Sequence, residues 1–95
     1  MIQHVTLIEW KEDADRDAIA AFLATADSLM ADNPFVTCSQ GSSLGFSPNS
    51  ADWGYVATFE SRKDLEVWTD HPTHLQLRVM AEGIRERSLN IQFHL

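Results

Sequence analysis

Basic charge is scarce in this chain. Its 95 residues carry seven Lys and Arg against 14 Asp and Glu, a formal net charge of −7, and the basic residues are scattered rather than clustered. A phosphate backbone or an anionic membrane surface needs a concentrated positive face, so nucleic acid and lipid are poor partners for it. Bulk charge of this sign favours neutral or cationic ligands. A single cysteine, Cys38, excludes an intramolecular disulfide. No apolar run approaches the ~20 residues of a membrane span, and no basic-then-apolar leader opens the chain. A cytoplasmic location is the default expectation. Repeats and low-complexity segments are also lacking. At 44% hydrophobic and 22% charged, the composition is that of a folded protein, and 95 residues suffice for one small domain, residues 1–95. A monomer of this size buries only roughly 60–65% of its unfolded surface, so self-association would add burial it needs.

Periodicity supplies the elements. Residues 2–11 (IQHVTLIEWK) alternate as a strand, with His4, Thr6, Ile8 and Trp10 on one face and Val5 and Leu7 on the other. Apolar residues on both faces suggest a strand covered on both sides, with His4 pointing inward beside Thr6. Four acids in residues 12–17 (EDADRD) suit the positive end of a helix. Ile19, Phe22, Leu23, Ala26, Leu29 and Met30 then form one helical stripe that ends at Asn33-Pro34. A weak strand follows over 35–44, a turn-rich loop over 45–52, and a third strand over 53–60 with Trp53, Tyr55, Ala57 and Phe59 on one face. Gly41-Ser42-Ser43-Leu44-Gly45 matches the letters of a nucleophile elbow, but no helix follows it, and a loop is the better reading. Leu75 and Val79 mark a last helix reaching Glu82, which Gly83 stops, and residues 88–95 alternate as a final strand.

Between the third strand and the last helix lies the stretch Phe59 to Leu75, FESRKDLEVWTDHPTHL. Ser61 with Asp64 three residues on has the form of a helix N-cap. Pro72 lacks an N–H and disfavours helical geometry at His71, so the helix stops near Asp70. Pro72 is suited to open the next helix, with Asp70 or His71 as cap and His74 in the first turn. Trp68, His71 and His74 meet at that helix–helix corner and form the best candidate site.

The pattern F-E-S-x-x-x-L-x-x-W-x-x-H-P-x-H in this stretch resembles the signature of the stress-responsive dimeric α/β-barrel domain family. The opening MIQHVTLIEWK resembles that family's first strand, and the resemblance spans essentially the whole chain. It implies a homodimer. The element order β-α-β-β-α-β, with the second helix split, independently points to the ferredoxin-like α+β arrangement: a four-stranded antiparallel sheet with helices on one face. The open face, expected to carry bulky residues of strands 1 and 3, would then pack against a second copy to close an α/β barrel.

The resemblance also points at His74. In a plant cyclase of the family, the second His of H-P-x-H is the general base of an aldol cyclisation, paired with a tyrosine six residues earlier. That position here is Trp68, whose indole donates a hydrogen bond but cannot shuttle a proton. His4 stands where the family places a histidine beside the pocket. His4, Thr6, Tyr55, Trp68 and His71 are therefore expected to line a ligand pocket around His74. Two histidines titrating near neutrality suit an acidic or enolisable small molecule. Three readings stand. One is small-molecule binding without chemistry, in a stress-associated role. Another is cofactor-free proton abstraction next to a carbonyl. The last is a monooxygenase of the antibiotic-biosynthesis type, which the H-P-x-H corner disfavours. The spacing of His71 and His74 also allows metal chelation, but a catalytic zinc needs a third ligand that the sequence does not show, so neither metal nor cofactor is expected.

Overall fold

The computed structural model describes all 95 residues. Four strands and three helices follow in the order β1 (Ile2–Trp10), α1 (Arg16–Leu29), β2 (Thr37–Ser42), β3 (Trp53–Phe59), α2 (Arg62–Thr69), α3 (Pro72–Glu82) and β4 (Arg85–His94). The strands form one antiparallel sheet in the order β2-β3-β1-β4. None of the helices is long and apolar enough to cross a membrane.

The helix boundaries have local causes. Asp15 caps α1 by accepting a hydrogen bond from the Asp17 N–H, which is what the acidic segment is for. The Asn33 side-chain amide donates to the Leu29 carbonyl and satisfies one of the carbonyls left free at the C-terminus of α1. Ser61 Oγ accepts from the Asp64 N–H at the start of α2. At the start of α3 the cap is His71, whose Nδ1 accepts from the Thr73 N–H, with Pro72 at the first position. Gly83 ends α3 in ordinary right-handed geometry, φ −80°. A left-handed glycine stop is not used, because the chain turns straight into β4, which begins at Arg85 rather than Ser88.

One face of the sheet carries the core. Ile8 of β1 and Trp53, Ala57 and Phe59 of β3 pack against Phe22 and Ala26 of α1 and Leu77 and Ala81 of α3. Trp68, Phe22 and Phe59 are fully buried and supply much of the apolar burial that stabilises so small a core. Phe22 meets Trp53 edge-on at 5.1 Å, and Phe35 meets Trp68 at 4.7 Å.

The opposite face is open, and its composition corrects the sequence reading. Its bulk comes from β1 and β4, through Leu7, Leu89, Ile91 and Phe93, with only Val56 from β3. The aromatic residues of β3 all face the helices. β1 is therefore covered on one side only within the protomer. Gly54 is required here: a Cβ on it would come within 2.9 Å of the Leu7 side chain and 3.0 Å of the Thr6 carbonyl on the neighbouring strand. Toward the other end of β3, Thr37, Thr58 and Gln3 link their side chains across three strands of the open face.

One irregularity matters for the site. The β1–β4 ladder pairs Ile8 with Ser88 and Glu9 with Arg87, then shifts so that Trp10 pairs with Arg85. Glu86 is the extra residue of this bulge. On the other edge of β1, just beyond its last pair with β3, the Trp10 N–H donates to Asp52 Oδ2 at 2.7 Å, while the Lys11 N–H meets the Ile84 carbonyl on the β4 side at 2.8 Å.

Candidate functional site

The sheet register decides which polar side chains meet. Tyr55, Thr6 and Asn90 lie in one row across β3, β1 and β4, and Ala57, His4 and Gln92 lie in the next. All of these side chains project toward the helices. The polar face of β4 therefore completes a network that is buried at His4, Thr6 and Tyr55 and opens toward the sheet edge at Asn90 and Gln92.

The Gln92 amide nitrogen, a donor only, gives a hydrogen bond of 2.9 Å to His4 Nδ1. Nδ1 must then accept, so the proton of neutral His4 sits on Nε2. From there it is shared between Tyr55 Oη at 3.1 Å and Thr6 Oγ1 at 3.0 Å. Thr6 passes its own proton to Asn90 Oδ1 at 2.7 Å. The Trp68 indole N–H donates to Tyr55 Oη at 3.3 Å. The phenol oxygen accepts from both His4 and Trp68, so neither bond uses the Tyr55 hydroxyl hydrogen, and the ring lines the cavity. Burial pushes the Tyr55 pKa up, so the phenol keeps its proton.

The helix corner positions the other half of the site. His74, in the first turn of α3, donates from Nδ1–H to the Thr69 carbonyl at 2.9 Å. Its ring leans edge-on against Trp68 with centroids 5.0 Å apart. A carbonyl only accepts, so this bond fixes the tautomer and leaves the Nε2 lone pair free. Burial lowers the His74 pKa and outweighs the Thr69 bond, which favours the charged ring; Arg78 lowers it further and Asp70 opposes, so the net shift is downward and favours the neutral imidazole. Burial likewise lowers the pKa of His4.

Thr6, Tyr55, Trp68 and His74 line one cavity of about 190 Å³ between the sheet and α3, together with apolar groups such as Phe22, Trp53 and Leu77. Two of the expected pocket residues do not. His4 sits behind Tyr55 and Thr6 and reaches the cavity only through them. His71 stacks on the far side of Trp68 at 6.2 Å and uses Nδ1 to cap α3, which removes it from the cavity. His71 and His74 also gather no third metal-ligating side chain. The sequence reading missed Asn90, Ser88, Arg78 and Arg85 on the cavity wall. Asn90 was signalled by the alternation of β4, but which face of that edge strand turned inward depended on its register.

With this geometry described, comparison with known proteins is informative. The family model of the stress responsive A/B barrel domain matches residues 2–94. The chain belongs to that family. Solved structures agree on the fold of the A/B barrel domain. A dimeric ferredoxin-like protein of unknown function from Thermobifida fusca superposes with a TM-score of 0.90 at 21% identity, covering 99% of this chain and 90% of that one. A family protein from Mesorhizobium loti gives 0.78 at 20% identity, with 99% and 95% covered. The hydroxynitrile lyase of Passiflora edulis gives 0.80 at 17% identity, with 99% and 92% covered. No curated protein sequence matches the chain. In this A/B barrel domain the phenol beside Trp68 is Tyr55, contributed from β3.

Proposed function

We propose that this A/B barrel domain forms a face-to-face homodimer whose protomers each bind a small carbonyl compound in the cavity, where His74 removes a proton next to the carbonyl. The observation that carries the reading is the Nδ1–H bond from His74 to the Thr69 carbonyl, because in the neutral ring it leaves the lone pair on Nε2 as the free base. Tyr55 is the complementary group. Its hydrogen bonds to the carbonyl oxygen as negative charge develops there, and its raised pKa keeps the proton on the phenol. The C–H bond breaks, Nε2–H forms, and the electron pair flows into the carbonyl to give an enolate. The imidazolium then returns the proton. His4, fixed by Gln92, holds the Tyr55 oxygen in place from behind. The hydroxynitrile lyase among the structural relatives supports an enzymatic reading of this fold, and the relatives described as dimeric support the dimer.

Ligand binding without turnover is a second reading, and Trp68 favours it, because an indole replaces the phenol beside the base. The two readings separate in one measurement: exchange of the α-hydrogens of small ketones and diketones in D2O, followed by proton NMR. His74→Ala is expected to cut the exchange rate by about 10²-fold or more, the usual contribution of a positioned base. Tyr55→Phe is expected to reduce it while ligand binding persists. A domain that binds ketones yet exchanges no faster than solvent is a binding protein, and an unchanged rate in His74→Ala removes His74 as the base.

A further inference from the structure

The cavity wall is charged opposite to the rest of the molecule. The chain has 14 Asp and Glu and seven Lys and Arg, yet two arginines, Arg78 and Arg85, line the cavity and no carboxylate does. The two ion pairs of the chain, Arg62–Glu66 and Arg87–Glu9, leave both of these guanidiniums without an acidic partner. Arg85 is also partly buried, which is unfavourable for an uncompensated charge.

The bulge creates this arrangement. With an uninterrupted β1–β4 register, Glu86 would stand opposite Trp10 on the cavity face. The shift after Glu9 puts Arg85 there instead. Glu86 is turned outward, beside Glu9, Glu12 and Asp13 at the far end of the sheet. One inserted residue thus exchanges a carboxylate for a guanidinium at the cavity wall. Bulges beside functional sites re-aim side chains in this way. Charge at the wall acts on a bound molecule more strongly than net charge does, and here it argues for an anion rather than the neutral or cationic ligand that bulk charge favours.

We propose that the carbonyl compound bound here is a small oxo acid, its carboxylate held by Arg85 and Arg78 and its carbonyl directed at Tyr55 and His74. A guanidinium matches a carboxylate in a planar, two-bonded pair. The cavity volume of about 190 Å³ corresponds to roughly six waters at ~30 Å³ each, which suits an acid with a short branched tail. Phe22, Ile8 and Leu77 offer that tail an apolar wall. The proposal rests on the carbonyl-binding reading above and specifies its substrate class.

The test is a pair of NMR titrations on the intact protein, with 3-methyl-2-oxobutanoate and with its methyl ester, and inorganic phosphate as a third probe. The acid is expected to bind about tenfold or more tightly than the ester, the scale of a charge-assisted pair. Arg78→Gln combined with Arg85→Gln is expected to bring the acid down to the ester's level, while Arg87→Gln leaves the preference intact. Thermal unfolding of each variant confirms that the fold persists, and single Arg→Lys variants serve if the double variant does not fold. Equal affinity for acid and ester overturns the proposal, as does tight binding of the acid by the double variant. Arginine-dependent binding of phosphate with none of the oxo acid also overturns it in favour of a phosphate ligand. Failure of the two readings is distinguishable. Arginine-dependent acid binding without α-hydrogen exchange removes the base and keeps the anion site, whereas exchange on neutral ketones without acid binding does the reverse.

Discussion

A single hydrogen bond sets the chemistry of His74. Because Nδ1–H is committed to the Thr69 carbonyl, the imidazole presents its lone pair at Nε2, and burial keeps it unprotonated. His4 is held neutral by the same physics, with its own proton directed by Gln92. Both pKa values are lowered, and this has a consequence for stability. In the unfolded chain an imidazole takes up a proton near the ordinary value of 6.5, whereas in the folded protein it does so only at lower pH. Between the two values the unfolded state binds more protons, so stability rises with pH. The contribution is complete above pH 6.5 and is lost as pH falls below that value. The temperature of half-unfolding is therefore expected to drop as pH is lowered from neutrality through the mildly acidic range, before the carboxylates titrate. Replacing His4 or His74 by Gln is expected to flatten the profile. Thermal unfolding followed by circular dichroism checks this, and a flat wild-type profile would show that the imidazoles titrate alike in both states.

At the scale of elements, the corner between α2 and α3 separates two histidines that look equivalent in H-P-x-H. Pro72 pins His71 just outside α3, where its Nδ1 meets the Thr73 N–H, and leaves His74 one turn in, where its ring meets Trp68. One histidine caps and the other faces the cavity. His71→Ala is expected to cost about 1 kcal/mol of stability through the lost cap. His71→Asn retains an acceptor and is expected to recover most of it, and neither variant is expected to change α-hydrogen exchange. Chemical denaturation of the three proteins measures the difference. A loss of exchange in His71→Ala without loss of stability would return His71 to the cavity. The bulge in β4 is the second case of an element deciding a site, because it determines which end of Arg85-Glu86 faces inward.

At the scale of the whole molecule, the open sheet face is the dominant surface feature. Leu89, Ile91 and Phe93 of β4 stand 56%, 58% and 46% exposed, beside Leu7 and Val56. So contiguous an apolar patch is a liability for a lone 95-residue chain and suits burial against its own copy. Ile91→Lys puts a charge into the apolar open face and is expected to give a protomer-sized species in light scattering coupled to size-exclusion chromatography. Circular dichroism of a stable variant is expected to retain the helix and strand signals. A dimer that survives Ile91→Lys and the matching Leu89→Lys would place the interface elsewhere.

The order of the elements, the capped corner at Ser61 and Pro72, the inward face of β1 and the grouping of Trp53, Tyr55 and Phe59 were all legible in the sequence. Each follows from period, capping chemistry or a missing N–H, which are properties of neighbours along the chain. Three features needed the tertiary structure: the inward turn of Asn90 and Gln92, the hydrogen bond that joins Trp68 to Tyr55, and the arginines on the cavity wall. They depend on register and packing between elements distant in sequence, and on a one-residue bulge that reverses which side chains face inward. Alternation along a strand shows which residues share a face; only pairing with its neighbour decides which face is inside.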